Sequence, residues 1–292
     1  MRRVAINPLP WILGDTAFNL SRETLTLAMT ELRPIGFDHL TIDVPDGWTT
    51  PHYSALLTEH GFRPAPGYFS GDWSDRAAHA GLVERVKVHA NVHAELGLDR
   101  AFIAHDLVPE RIERPAVGSG TAALPVIADG LALAAEAARA EGVRYALHPH
   151  VGSPVETEPE VRAVLDATAG SALAFGPDTG HLAWAGADPA DLVRDYAERV
   201  IAVHLKDVEP EARAAAIAAG DDYRAATVDR HLWIEPGRGM VDFDAVFDAL
   251  PPDFDGWFVI EVDVPHAPTA AESSAISYTF LRKQPYLTGG VS

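Results

Sequence analysis

Asp178 and His181 stand three residues apart in "FGPDTGHLAWAGA", directly after the apolar stretch "SALAF". His204 follows "VIAV", 26 residues beyond Asp178, with Lys206 two positions on. Glu261 and Asp263 close a third apolar run, "GWFVIEVDV". Buried strands normally end in turn residues. These end in groups that bind cations or carry protons. Two carboxylates and an imidazole (Asp178, His204 and Glu261) suit a divalent metal, Mn²⁺ first, with Co²⁺, Mg²⁺ or Zn²⁺ as alternatives, because oxygen-rich sets favour the harder ions. Left unpaired, the two acids would repel each other; a cation resolves that repulsion and polarises a substrate oxygen as a Lewis acid. Taken singly, each acid is better read as a helix cap or an ion-pair partner. Three converging strand ends favour the metal.

A fourth ligand is left open between His148, His150 and Glu156 in "YALHPHVGSPVETEPE". Two histidines at i and i+2 of a strand point the same way, so both can face one mouth, one ligating and the other working as acid or base. Glu156 is offered as a metal ligand, against the reading that Thr157 and Glu160 form a capping box there. In "EPGRGMVDF", Gly237 and Gly239 permit a close backbone approach, and Arg238 is a candidate clamp for a substrate oxygen or anion, or else a surface ion-pair partner. Trp11, Tyr68, Phe69, Trp73 and Trp184 fall in rim loops or strand ends, and Trp11 is the candidate wall for a sugar or cyclitol ring.

The elements that must position these groups alternate. Strands are expected at Val4–Asn7, His39–Asp43, Phe62–Tyr68, Arg100–Ala104, Arg144–His148, Ala172–Gly176, Ile201–His204 and Phe258–Glu261. Helical patterns lie between them at Glu23–Leu32, Tyr53–Glu59, Asp75–Leu96, Thr121–Glu141, Pro159–Asp166, Pro189–Arg199 and Phe243–Ala249, and a last one spans Ala270–Leu281. Asp188 and Asp242 cap two of them. Strands separated by helices pair in parallel. A single (β/α)8 TIM barrel over residues 1–292 accounts for the count, and it gathers the strand ends Asn7, Asp43, His105, His148, Asp178, His204 and Glu261 around one mouth. An open doubly wound sheet is disfavoured, since "NPLPWILG" after the first strand carries no GxGxxG. Two excursions, 105–120 and 209–238, leave the same rim.

Composition bounds the rest. With 292 residues and 47% hydrophobic content the chain can bury a full core. It has no cysteine, which excludes disulfides and thiolate sites and favours a reducing, cytoplasmic setting. The opening "MRRVAINPLPWILGD" resembles a signal peptide only in its two arginines; Asn7, Pro8 and Pro10 break the apolar run. No run approaches the length of a membrane span. The formal charge of −19 lacks the basic footprint of a nucleic-acid binder. The expected partner is a small polyhydroxylated substrate rather than nucleic acid or membrane, with homo-oligomerisation left open.

The segments "HPHVGSPVET", "DTGHLAWAGADP", "VIAVHLKDV", "PGRGMVDF" and "GWFVIEV" resemble motifs of the xylose isomerase-like TIM-barrel superfamily, which includes sugar phosphate isomerases and epimerases, inosose dehydratases and endonuclease IV. Order and spacing over about 143–262 resemble the inosose dehydratases, and "INPLPW" and "GFDHLTIDV" are collinear. The resemblance implies a metal held by residues matching Asp178, His204 and Glu261, and a substrate contact for His181. The chain departs where relatives place a glutamate after the fifth strand: it has His148-Pro-His150. It also carries Asp43 for the usual glutamate, and Arg238 where similar dehydratases have an acid. The implied activity is proton abstraction next to a carbonyl by His148, His150 or a metal-free Glu156, with His181 or Lys206 protonating the departing oxygen. A dehydratase (lyase) is the expectation. A sugar isomerase or epimerase is the alternative, ahead of an endonuclease IV-like phosphodiesterase or a non-catalytic sugar-binding barrel.

Overall fold

The computed structural model describes residues 2–13, 18–118 and 122–289. Its barrel strands are short apolar runs buried on both sides, as parallel strands covered by helices must be. They are β1 (Arg3–Ile6), β2 (His39–Thr41), β3 (Arg63–Ala65), β4 (Tyr68–Gly71), β5 (Arg100–His105), β6 (Arg144–Leu147), β7 (Ala174–Phe175) and β8 (Ala202–Leu205). A short antiparallel pair, β9 (Asp207–Val208) and β10 (Trp233–Ile234), precedes β11 (Trp257–Ile260).

Five strands run in the order β3-β2-β1-β11-β8 and four in the order β4-β5-β6-β7, all parallel. Two seams join them. Parallel bridges Phe175↔Val200 and Asp178↔His204 link β7 to β8. At the other seam, the expected strand Phe62–Tyr68 is broken into β3 and β4. Pro66 has no N–H to give a ladder, so β3 pairs with β2 and β4 with β5, the break being held by Ile42 N–H to Ala65 O (3.1 Å) and Phe102 N–H to Gly67 O (2.9 Å). The ring is therefore closed, a (β/α)8 barrel.

The expected helices form within a few residues of their sequence limits, from Arg22–Ile35 to Ala270–Lys283. Asp188 and Asp242 cap the helices Pro189–Asp195 and Phe243–Asp248 through Ala190 N–H (2.9 Å) and Ala245 N–H (3.0 Å). The long helix expected over Asp75–Leu96 starts at His79, because the preceding residues form turns. The expected start at Thr121 and the end of the 105–120 excursion lie outside the described residues. The 209–238 excursion is ordered: a helix, Pro210–Ala219, capped by Glu209, followed by β10 folded back onto β9. Among the described residues no helix is long and apolar enough to cross a membrane.

Candidate metal centre

Register decides which side chains meet. Partners in a parallel pair share a face. Asp178 bridges directly to His204, and Ile260 opposite Leu205 brings the next residues, Glu261 and Lys206, side by side. One ligand-type atom from each of Asp178, His204 and Glu261 lies within 4.8 Å of the others. His148, Asp178 and His181 form a second such group, so Asp178 is common to both. All five residues are buried.

Asp178 serves two purposes through its two oxygens. Oδ1 accepts the His181 N–H at 2.8 Å and caps the helix Thr179–Trp184. Oδ2 is buried without a hydrogen bond, as are both ring nitrogens of His204 and Nδ1 of His148. Unmet polar atoms cost free energy when removed from water, and here they cluster and are all metal-ligand types. The donor set fits a divalent cation. Glu261 is steadied by Asn7, whose Nδ2 donates to Oε2, and by Lys206 Nζ, 2.6 Å from Oε1. His204 Nδ1 stands 3.3 Å from Glu261 Oε2 and 3.6 Å from Asp178 Oδ2. Burial opposes a charge on His204, but these carboxylates outweigh it and raise its pKa to about 9.

The remaining imidazoles are pushed the other way. Burial, with His204 alongside, holds His148 well below the usual histidine value. Burial and then Lys206 lower His150 to about 4. His150 Nδ1 donates to Val151 O at 2.6 Å, which leaves Nε2 as the acceptor nitrogen of a neutral ring. Both histidines line a cavity of about 380 Å³ at the barrel mouth, together with Asn7, Asp43, Tyr68, His204 and Glu261. The rest of its lining is largely apolar, including Leu9, Ile12, Ile42 and Leu107, with Phe102 packed edge-to-face against the His148 and His204 rings.

Other candidates stand elsewhere. Glu156 is fully buried but belongs to neither ligand group: Oε1 takes Arg111 Nη1 (2.5 Å) and Gly118 N–H (3.2 Å), and Oε2 takes Gly152 N–H (2.8 Å). The Thr157–Glu160 capping box is present, and Glu160 takes the other arm of Arg111. His181 and Lys206 lie behind the ligands rather than on the cavity wall, 3.3 Å apart. Trp11 donates to Glu31 at 2.8 Å and Arg238 pairs with Glu235 at 3.3 Å with half its side chain exposed; neither lines the cavity.

The sequence reading missed Asp207. Its buried carboxylate accepts the N–H groups of Gly237, Gly239 (both 2.9 Å) and Val241 (3.0 Å), and a side chain at Gly239 would collide with it and with Val208 O. The glycines were visible; the acid they approach, some thirty positions upstream, carried no local signal. Tyr223, inside the excursion, lies nearly parallel to the His150 ring with centroids 6.2 Å apart.

The chain is 25% identical to the inosose dehydratase of Geobacillus kaustophilus (strain HTA426) over 269 residues, covering 89% of this chain and 87% of that protein. The solved D-allulose 3-epimerase from Methylomonas sp. in complex with D-allulose has a TM-score of 0.70 at 17% identity, covering 97% of this chain and 96% of that one. The IOLI protein with a bound zinc atom has a TM-score of 0.68 at 17% identity, covering 99% of both chains. At that identity the two structures show a shared fold. The profile described as xylose isomerase-like TIM barrel matches residues 32–284, most of the barrel and every candidate ligand, and the chain belongs to that family.

Proposed function

We propose that this protein is a divalent-metal-dependent enzyme that removes the proton next to a carbonyl of an uncharged keto-sugar or keto-cyclitol, and that it is a dehydratase of the inosose dehydratase kind. The observation that carries this is the cluster of ligand-type atoms of Asp178, His204 and Glu261, with Asp178 Oδ2 and both His204 ring nitrogens left without hydrogen-bond partners, next to two neutral histidines on the cavity wall. The inosose dehydratase relative and the zinc-bearing IOLI structure support it. Asp178, His204 and Glu261 would hold the metal, with His148 as fourth ligand in place of Glu156. When bound, the metal (Mn²⁺ first, with Zn²⁺, Co²⁺ and Mg²⁺ as alternatives) supplies Lewis-acid polarisation of the substrate carbonyl.

The chain's own groups supply the rest. His150, neutral and with Nδ1 fixed on Val151 O, takes the proton through Nε2. Tyr68 lines the cavity edge-on to His148, and a phenol is protonated at neutral pH; it is the donor to the departing hydroxyl. Loss of that hydroxyl gives dehydration. Return of the proton elsewhere gives epimerisation or isomerisation, the second reading, supported by the likeness to D-allulose 3-epimerase. No lysine or arginine occurs among the described residues lining the cavity, whereas Asp43, Asp106 and Glu261 do, so a phosphate or carboxylate would meet like charge. The apolar wall suits the C–H face of a ring. We read residues 1–292 as one barrel domain acting in the cytoplasm, without nucleic-acid or membrane partners; self-association is compatible with it.

The test is incubation with Mn²⁺ and neutral keto-inositols or ketoses in D₂O. Deuterium is expected in product or recovered substrate, with a product lighter by one water for dehydration and of unchanged formula for epimerisation. Turnover without label in either pool overturns the proposal.

A further inference from the structure

We propose that Lys206 is a fixed internal counter-ion of the metal ligands and Asp263 its restraint, the pair together setting how tightly the centre holds its cation. This rests on the metal-centre reading. Lys206 is completely buried, and its chain crosses the helix Thr179–Trp184 where Gly180 leaves room: a Cβ there would lie 2.5 Å from Lys206 Cγ and 3.0 Å from Cδ. Its ammonium is enclosed. Nζ lies 2.6 Å from Glu261 Oε1, 2.7 Å from Asp263 Oδ1, 3.3 Å from His181 Nε2 and 3.7 Å from Asp178 Oδ2, with the Trp233 ring face 4.7 Å away. The cavity wall does not include it, so the group is built to face ligands, not substrate.

The charges then act in opposite senses. Lys206 relieves the repulsion between Asp178 and Glu261, keeping both ligands in place without a metal, yet a cation arriving on those oxygens meets a positive charge next to them. Asp263 is not among the clustered ligand atoms; its carboxylate sits on the ammonium and offsets that field. At distances of a few ångströms in a buried site, one unit charge is worth orders of magnitude in cation affinity before screening.

Mn²⁺ titration calorimetry and thermal melts on the full chain separate the roles. Lys206→Met keeps an unbranched chain as far as Cε and removes the ammonium; it is expected to bind Mn²⁺ at least about tenfold more tightly, while the metal-free protein melts at a lower temperature. Asp263→Asn keeps a hydrogen-bonding oxygen but removes the restraint; it is expected to bind Mn²⁺ about tenfold more weakly. A residue that merely fills space would weaken binding in both variants, and a proton donor to substrate would change the rate in Lys206→Met with affinity unchanged. Shifts in the same direction, or none, overturn the proposal. Should Lys206→Met not fold, unchanged or tighter binding in Asp263→Asn overturns it alone. If the wild type binds no Mn²⁺, Zn²⁺ or Co²⁺, the metal-centre reading itself has failed.

Discussion

At the scale of single residues, an acid's environment decides its use. Asp178 caps a helix with one oxygen and leaves the other for a cation, so the capping and ligand readings both hold, on different atoms. Asp178→Asn keeps a cap acceptor and loses the charge. It is expected to lose bound metal, by elemental analysis, and to stay within about 1 kcal/mol of wild type in metal-free stability, whereas Asp178→Ala falls roughly a further 1 kcal/mol by losing the cap. Equal metal occupancy in wild type and Asp178→Asn would sink the ligand assignment. Glu156 shows the converse. It is wholly engaged by Arg111 and two backbone N–H groups, so Glu156→Gln should keep its metal and lose stability on the order of 3 kcal/mol, the scale for weakening one side of a buried ion pair. Urea melts with metal analysis check this; emptied metal with intact stability would restore Glu156 as a ligand.

At the scale of elements, strand register and close backbone packing aim the side chains. Asp178 faces His204 because β7 and β8 pair through a bridge at that pair, and Glu261 reaches Lys206 because β11 and β8 are in step. The 105–118 segment is fastened to the barrel by Arg111, held between Glu156 and Glu160, which positions the Asp106–Leu107 part of the cavity wall. Gly180 is one of these close fits. Gly180→Ala suits a helix better by propensity but puts a methyl into the Lys206 chain. It is expected to cost roughly 1–3 kcal/mol and to change Mn²⁺ affinity by displacing the ammonium. Wild-type stability and affinity in this variant would show that Lys206 is not confined as described.

At the scale of the whole molecule, closure of the barrel brings side chains from every part of the sequence to one mouth, from Asn7 to Glu261, and a metal held as proposed by Asp178, His204 and Glu261 would tie three strand ends together. Its binding would then be coupled to folding. Mn²⁺ at about 100 times its Kd should add about 2.7 kcal/mol to unfolding free energy, and chelation should remove it. Superimposable melts with and without Mn²⁺ would contradict a native-state site. The net charge of −19 also favours cations near the surface and repels anions, consistent with an uncharged substrate.

Much of this was legible in the sequence because it is local. Apolar runs of strand length alternating with helical patterns demanded parallel pairing, and polar groups at the run ends marked Asp178, His204 and Glu261 before any coordinates. The capping box at Thr157 and Glu160 was likewise written within four residues. What the tertiary structure alone decided depends on partners distant in the chain. Glu156 went to Arg111, 45 residues away, rather than to the Asp178–His204–Glu261 cluster. Trp11 turned to Glu31 instead of the cavity, Pro66 split a strand between two neighbours, and Lys206 was enclosed behind the clustered acids by Gly180, Trp233 and Asp263. A sequence states which groups are available and which face of an element they share. Where a carboxylate or an ammonium finds its counter-charge is settled only when closure of the barrel fixes the distances.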